Sequence, residues 1–447
     1  MTKRLSLTNT TIYTKRYSNQ GVHTLAFVVA LIFLFAGSAL ELSALKIVGL
    51  GISFFIVLFG DVLTSFFFLA FLTPNLAVFS YTNYGTGLLG LAYILLFLRC
   101  FLTAKRPKCL SEKSILLMSI ILLFGFARIL QGITHDLLLF VQVICAIYVW
   151  KYFIKFYDKS DKYTLYKYFG YGVLALLFGM VVQYFTIGRS DNRFTGLLDD
   201  PNYTAASFAV LASLSVYLIF NKVKTKQVFF FLVVGMLGGL LTASRGFLLS
   251  IGMVAICYVL YALKNRRARI VFFYLLLVIA LFVVLYVFKF GPVVSLYDKT
   301  IGRTLELQNN YSAGKFMDIT SGRLVLWSFY WDELKIHPIM FAFGRGFENY
   351  YLVENGGYGL AAHNSFISGL MGFGLFGLIT ILSLYFEMCR FHKKSIIDFS
   401  IIVCFLTAYM FLDGLLDLRL ILYFALFEVV TTQFIKKKMH KKLSTSY

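Results

Sequence analysis

Apolar residues in this chain run in long blocks and not in narrow stripes. Fourteen stretches stand out, approximately 24–40, 43–59, 62–80, 84–100, 114–131, 135–152, 168–186, 204–220, 227–243, 246–263, 270–289, 362–387, 396–412 and 415–434. A helix that is apolar on every side over roughly 20 residues can cross the hydrocarbon of a bilayer. Backbone groups in lipid have no water to pair with, so these blocks are predicted to be α-helices. The alternating pattern that a membrane barrel needs is absent. Two hairpins, 43–80 and 227–263, read almost without a break, which sets the expected number at twelve to fourteen. The predicted fold is all-α: a polytopic integral membrane protein in one domain, 1–447. One large extracytoplasmic loop, 290–361, contains short helices of its own.

The polar residues between the blocks are sorted by charge. The N-terminal tail holds Lys3, Arg4, Lys15 and Arg16, and the next basic segment holds Arg99, Lys105, Arg106, Lys108 and Lys113. Further clusters run Lys151 to Lys167, Lys222 to Lys226, Lys264 to Arg269, Arg390 to Lys394 and Lys436 to Lys442. These alternate segments carry 29 of the 42 Lys and Arg residues. Cytoplasmic loops are rich in Lys and Arg, so both termini are expected inside. The tight turn at Gly60-Asp61 is the one inside segment that lacks such a residue.

Composition then narrows the class. A mean hydropathy of +0.79 with only 14% charged residues excludes an ordinary soluble domain. The net charge of +21 would suggest nucleic acid, but its placement assigns it to topology and to anionic lipid headgroups. The first apolar run follows a basic tail, is too long for a signal sequence and lacks a small-residue cleavage site, so it reads as a retained span. The six cysteines (Cys100, Cys109, Cys145, Cys257, Cys389, Cys404) fall in spans or inside segments, which argues against a disulfide framework.

The outside segments hold the chemistry. One is 187–203, with Arg193, the pair Asp199-Asp200, Pro201 and Asn202. A second is the short turn Thr242-Ala-Ser244-Arg245-Gly246. The third is the loop 290–361, too aromatic for a disordered tether, with Trp327, Trp331, Phe341, Phe343, Phe347, Tyr350 and Tyr351. Within it, Ser321-Gly322-Arg323 reads as a helix start that Thr320 or Ser321 can cap. Arg323, Trp327 and Trp331 then share one face, His337-Pro338 ends the helix, and Phe343-Gly344-Arg345-Gly346-Phe347 is a turn. An amphipathic element of this kind suits the bilayer surface. His363-Asn364-Ser365-Phe366 opens the next span, where Gly369, Gly372, Gly374 and Gly377 should let a neighbouring helix approach.

Arginine forks match phosphate oxygens and stay ionised. Arg193, Arg245 and Arg323 come from separate segments and could converge on a diphosphate or carboxylate, although Arg245 alone could simply snorkel. His363 is a titratable base at a helix start, either a water-facing terminal residue or a proton acceptor for a sugar hydroxyl. Asp199-Asp200-Pro201-Asn202 favours capping of the 204–220 span over a metal site.

In the order of these motifs the chain resembles the O-antigen polymerase and O-antigen ligase superfamily. Arg193-Phe-Thr-Gly196 with Asp200-Pro201-Asn202, and Ser244-Arg245-Gly246-Phe-Leu-Leu249 with its arginine-x-x-x-leucine pattern, carry part of the likeness. Ser321-Gly322-Arg323 with Trp327, Gly344-Arg345-Gly346 and His363-Asn364-Ser365-Phe366 carry the rest, over about 187–380. The resemblance implies transfer of a glycan from a polyprenyl diphosphate-linked oligosaccharide to an acceptor glycan hydroxyl. It implies an inverting glycosyltransferase working outside the cytoplasmic membrane, with no cofactor and no metal. His363 would be the general base and Arg245, Arg193 and Arg323 would hold the diphosphate, with Asn364, Asn202, Arg345 and Trp327 in support. Partners would be membrane lipids, a flippase and a chain-length regulator, and no nucleic acid. Span count and a lysine-rich, proline-poor composition favour a polymerase of O-antigen, capsule or exopolysaccharide over a ligase. A lipid-linked oligosaccharide flippase is the alternative class, but it should show two similar halves, and no repeat is present.

Overall fold

A computed structural model of the chain describes residues 20–39, 42–75, 87–103, 110–129, 135–186, 201–223, 225–242, 244–264, 283, 286–289, 294, 323–346, 364–389, 396–410, 412 and 416–443. Its helices are α1 (Gln20–Ala39), α2 (Ser43–Phe59), α3 (Val62–Leu72), α4 (Gly87–Thr103), α5 (Glu112–Ile129), α6 (His135–Phe156), α7 (Lys159–Thr186) and α8 (Pro201–Phe220). They continue with α9 (Lys226–Leu241), α10 (Arg245–Lys264), α11 (Arg323–Ile336), α12 (Pro338–Phe343), α13 (Ser365–Met388), α14 (Ile396–Tyr409) and α15 (Leu418–Leu443). No strand occurs among the described residues. Thirteen of the fourteen predicted spans coincide with these helices, and the stretch 270–289 lies almost wholly outside the described residues.

The protein is an all-α membrane protein. Four segments, Leu137–Phe156, Ser160–Val182, Asn202–Phe220 and Ser365–Met388, are long and apolar enough to cross a bilayer, and seven shorter apolar helices accompany them. Large apolar side chains point outward from the bundle, among them Leu25, Phe55, Leu102, Leu123 and Phe178. A soluble surface would not carry so many; lipid accepts them. The inner helices are sealed by aromatics: Trp150 donates to the Tyr93 hydroxyl at 2.9 Å, and Tyr166, Phe68 and Tyr423 are fully buried.

Two boundaries differ from the hydropathy pattern, each for a local reason. Helix α7 begins nine residues before 168, because Asp158 caps its first turn, accepting from Ser160 N at 2.8 Å and Asp161 N at 3.0 Å. Its charged first turns hold no apolar signal. Helix α3 stops at Leu72, well before residue 80, where Pro74 cannot continue the hydrogen-bond ladder. There Asn75 donates to the Gly172 carbonyl at 3.0 Å and fastens the end of α3 to α7.

The bare turn Gly60-Asp61 acquires its positive charge through space. Arg99, on α4, donates to the carbonyls of Val57 and Gly60 and to Ser65 Oγ. These carbonyls belong to the end of α2, where the helix has no internal partner for them and where a cation is favoured. Asp61 caps α3 beside them, accepting from Thr64 N at 2.6 Å. Arg99 thus joins three helices at one point. Replacing it (Arg99→Met) keeps the stem but strands these acceptors, and should cost about 3 kcal/mol, the scale of hydrogen bonds to a charged group. Denaturant titration in detergent measures the loss; a wild-type midpoint would refute the role.

Candidate functional site

Four helix ends meet at one end of the bundle. The first turn of α8 carries Asn202 and Tyr203; the α9–α10 turn carries Ser244; the start of α13 carries Asn364 and Ser365; the α14–α15 connection carries Leu412 and Asp417. A continuous series of contacts links them. Ser244 Oγ donates to Asn202 Oδ1 at 2.9 Å and accepts from Phe247 N at 3.4 Å, so it caps α10 while reaching α8. Arg245 is therefore the first residue of α10, directly after a buried cap. Asn202 does not cap α8, which already begins at Pro201. It belongs to the first turn and receives Ser244 instead.

Next to Asn202, the Tyr203 ring lies under the Arg419 guanidinium, 4.0 Å from its centroid. Arg419 forms a buried ion pair with Asp417, with Nε and Nη2 at 2.7 and 2.6 Å from Oδ2, and its backbone N–H donates to Oδ1 at 2.9 Å. The Tyr409 hydroxyl donates to the same Oδ2 at 3.4 Å. Leu412 N donates back to the Tyr409 carbonyl at 3.3 Å, and the Leu412 carbonyl accepts from Ser365 Oγ at 2.8 Å. Ser365 is the first residue of α13, and Asn364 is its cap, accepting from Phe366 N at 3.0 Å and Ile367 N at 3.2 Å. Ser207 and Tyr423, paired at 2.7 Å, hold α8 to α15 just below.

The Asp417–Arg419 pair escapes a reading by hydropathy because it opens an apolar run and looks like the end of a span. The signal present in the sequence is the two charges themselves: opposite charges two residues apart at the start of a span need a partner or a function. Of the residues singled out from sequence, Asn202 and Asn364 both lie in this series of contacts. Arg245 and Arg323 are placed as the first residues of α10 and α11, and their side chains lie outside the described residues, as do His363 and Arg193.

Arg345 and Trp327 lie beside this region, in the α11–α12 hairpin. Trp327 is half-buried on α11. Helix α13 is not continuous: Gly374 has φ 69 and ψ −177, which breaks the ladder and frees carbonyls in the preceding turn. The segment after α12 fills the break. Arg345 N donates to the Met371 carbonyl at 2.6 Å and Gly346 N to the Gly372 carbonyl at 3.0 Å. A Cβ on Gly344 would strike the Gly372 carbonyl, and one on Gly374 would strike the Ala342 carbonyl. The glycines thus admit the loop that follows α12 and not a whole helix. The Arg345 side chain pairs with Glu333 at 2.6 Å and ties α11 to the same point. Tyr330, Leu334 and Met340 bury against Met371 beneath it.

The fold defines the class, a polytopic helical membrane protein, and this rim joins four of its helix ends by polar contacts. Residues 228–382, from α9 into the second half of α13, match the family model described as O-antigen ligase. The match is consistent with the superfamily to which the motifs point, and it supports a membrane enzyme of glycan transfer. No curated protein and no solved structure matches the chain.

The break in α13 should be intolerant of side chains. Gly374→Ala forces an L-residue into a positive-φ, extended-ψ region that is reached almost only by glycine, about 1–3 kcal/mol by itself, and adds the collision with Ala342. Gly252, on α10, has open space where its Cβ would be, and Gly252→Ala should be neutral or stabilising. Folded yield and thermal midpoints of both variants in detergent check this; a stable Gly374→Ala protein would contradict the break.

Proposed function

We propose that this chain polymerises a bacterial surface polysaccharide, moving a glycan from a polyprenyl diphosphate carrier to the hydroxyl of an acceptor sugar at the outer face of the cytoplasmic membrane. The observation that carries the proposal is the O-antigen ligase family match over 228–382, the segment that contains Ser244-Arg245, Arg323 and His363. The joining of the helix ends around it supports the reading. Ser244, next to Arg245, contacts α8, and Ser365, two residues after His363, contacts the α14–α15 connection, while Asn364 caps α13.

In this reading His363 takes the proton of the acceptor hydroxyl as its oxygen attacks the anomeric carbon. The bond from that carbon to the diphosphate oxygen breaks, and its electron pair leaves on the lipid diphosphate. A single displacement inverts the anomeric centre. Arg245, Arg193 and Arg323 balance the charge on the leaving group, which is where fixed cations lower the barrier most. The first N–H groups of α10 and its dipole add to this next to Arg245. Holding two large substrates in line supplies much of the remaining rate. The domain is one membrane body, with 290–361 as its large outside loop and both termini inside. A flippase and a chain-length regulator are its natural partners, because donor and product both stay on the membrane.

Ligase activity is the second reading, favoured by the description of the matching family. Deletion followed by gel analysis of surface glycan separates the two. Lipid-linked single repeats without a ladder mean polymerase, polymer left on its carrier means ligase, and repeats trapped at the inner face mean flippase. His363→Ala should lower transfer by about 10²–10⁴-fold, the worth of a positioned base, while the protein still inserts. Wild-type chain lengths would remove His363 from catalysis. Arg245→Lys keeps the charge but loses the fork and should raise the donor KM; unchanged kinetics would leave Arg245 no diphosphate role.

A further inference from the structure

The α11–α12 hairpin has a depth as well as a position. It is fastened to α13 by Arg345 N to the Met371 carbonyl and Gly346 N to the Gly372 carbonyl. Those carbonyls lie six and seven residues past the start of a 24-residue helix that is apolar enough to span the bilayer. At 1.5 Å per residue that is about 9–11 Å below the helix start. A helix of that length exceeds a 30 Å hydrocarbon core by only a few ångströms at each end. The attachment point therefore lies inside the acyl region.

The side chains agree with this depth. Ile339 is 79% exposed and Phe343 is 50% exposed on α12. The Phe343 ring lies 5.5 Å from Phe376 of α13, itself outward-facing, and 6.4 Å from Phe124 of α5. The outer face of α12 thus continues the apolar outer surface of α13. On α11 the exposed ion pair Asp332–Lys335, 3.2 Å, marks the watery side. The chain turns at His337, whose φ −119 and ψ 81 leave the helical region before Pro338. Backbone pairing gives a third argument. An aqueous loop could leave the N–H groups of Arg345 and Gly346 to water, whereas a loop in hydrocarbon must find carbonyls, and the break at Gly374 supplies them.

We propose that α12 and Gly344–Gly346 form the tip of a re-entrant hairpin whose outer face contacts lipid acyl chains, while α11 lies along the headgroups above it. The occupant of that apolar face is bilayer hydrocarbon, not a protein partner.

Added tryptophans test the depth without any requirement for transfer activity. Ile339→Trp and Asp332→Trp proteins are reconstituted in phosphatidylcholine vesicles, and the emission of the unsubstituted protein is subtracted. The difference emission of Ile339→Trp should be blue-shifted and strongly quenched by lipids brominated along the acyl chain. It should also be several-fold less sensitive to aqueous acrylamide than that of Asp332→Trp. Equal acrylamide quenching of the two variants, or quenching of Ile339→Trp only by headgroup-labelled lipid, would place the hairpin on the surface and overturn the proposal. Phe343→Trp, an aromatic exchange on the same face, gives an independent second reading and must agree with Ile339→Trp. Coverage of this face by a soluble protein partner would appear as acrylamide resistance of Ile339→Trp without bromolipid quenching, and would also overturn it.

Discussion

A peptide group in hydrocarbon must be paired by another part of the protein, and the α11–α13 region of this molecule is arranged around one place where a helix breaks its own ladder. Helix α13 gives up part of its own ladder at Gly374. The cost is met from outside the helix, by the N–H groups of Arg345 and Gly346. The same exchange fixes the segment after α12 to α13 by its backbone. A side-chain contact can be reshuffled by a rotamer change; two backbone bonds flanked by glycines that tolerate no Cβ cannot. The hairpin that follows from this is positioned by α13, and α11, with Arg323 at its start, is carried along through the Arg345–Glu333 pair.

Charge obeys a related constraint. Each described arginine near the apolar region is spoken for: Arg99 by the ends of α2, Arg345 by Glu333, and Arg419 by Asp417 and the face of Tyr203. An ionised group taken out of water is stable only with a partner or a ring of dipoles around it. These three settle into structural roles by that rule. Arg99 closes a turn, Arg345 holds a hairpin, and Arg419 joins α15 to α8. An arginine that serves a diphosphate needs a different setting, open to the ligand and held by its backbone. The first residue of a helix provides this, because its N–H groups face outward with it. Arg245 and Arg323 are the first residues of α10 and α11, and their side chains lie outside the described residues.

Much of the architecture is legible in the sequence because the membrane imposes it. Apolar blocks of the right length have to be helices, and thirteen of them are. The departures come where local chemistry outweighs hydropathy: the Asp158 cap that starts α7 among charges, and Pro74, which ends α3 inside an apolar run. Gly372 and Gly374 are legible as a place of close approach but not as a break. Composition reveals a missing Cβ, and only the backbone reveals a left-handed φ or which segment fills the space. Arg345 reads as a companion of the ligand arginines, because a Gly-Arg-Gly turn looks the same whether its fork faces phosphate or Glu333. The Asp417–Arg419 pair is hidden by the reverse error, since a long apolar run absorbs two charges at its edge. Asn202 reads as a cap from its neighbours in sequence, whereas its partner, Ser244, is 42 residues away.

These features share one geometry. Polar contacts between α8, α10, α13, α14 and α15 gather at the helix ends, where dielectric and water are intermediate. Deeper in the bundle the same contacts would require full burial of charge, and farther out they would be dissolved by solvent. The buried Asp417–Arg419 pair is held by the carboxylate's further bonds to the Arg419 N–H and the Tyr409 hydroxyl and by the Tyr203 ring under the guanidinium. The series from Ser244 through Asn202, Tyr203, Arg419, Asp417, Tyr409 and Leu412 to Ser365 joins the starts of α8, α10 and α13 and the α14–α15 connection. The transfer proposed above, on a lipid-borne donor, calls for such a frame, because groups from distant parts of the chain must be held together without moving when the lipid does.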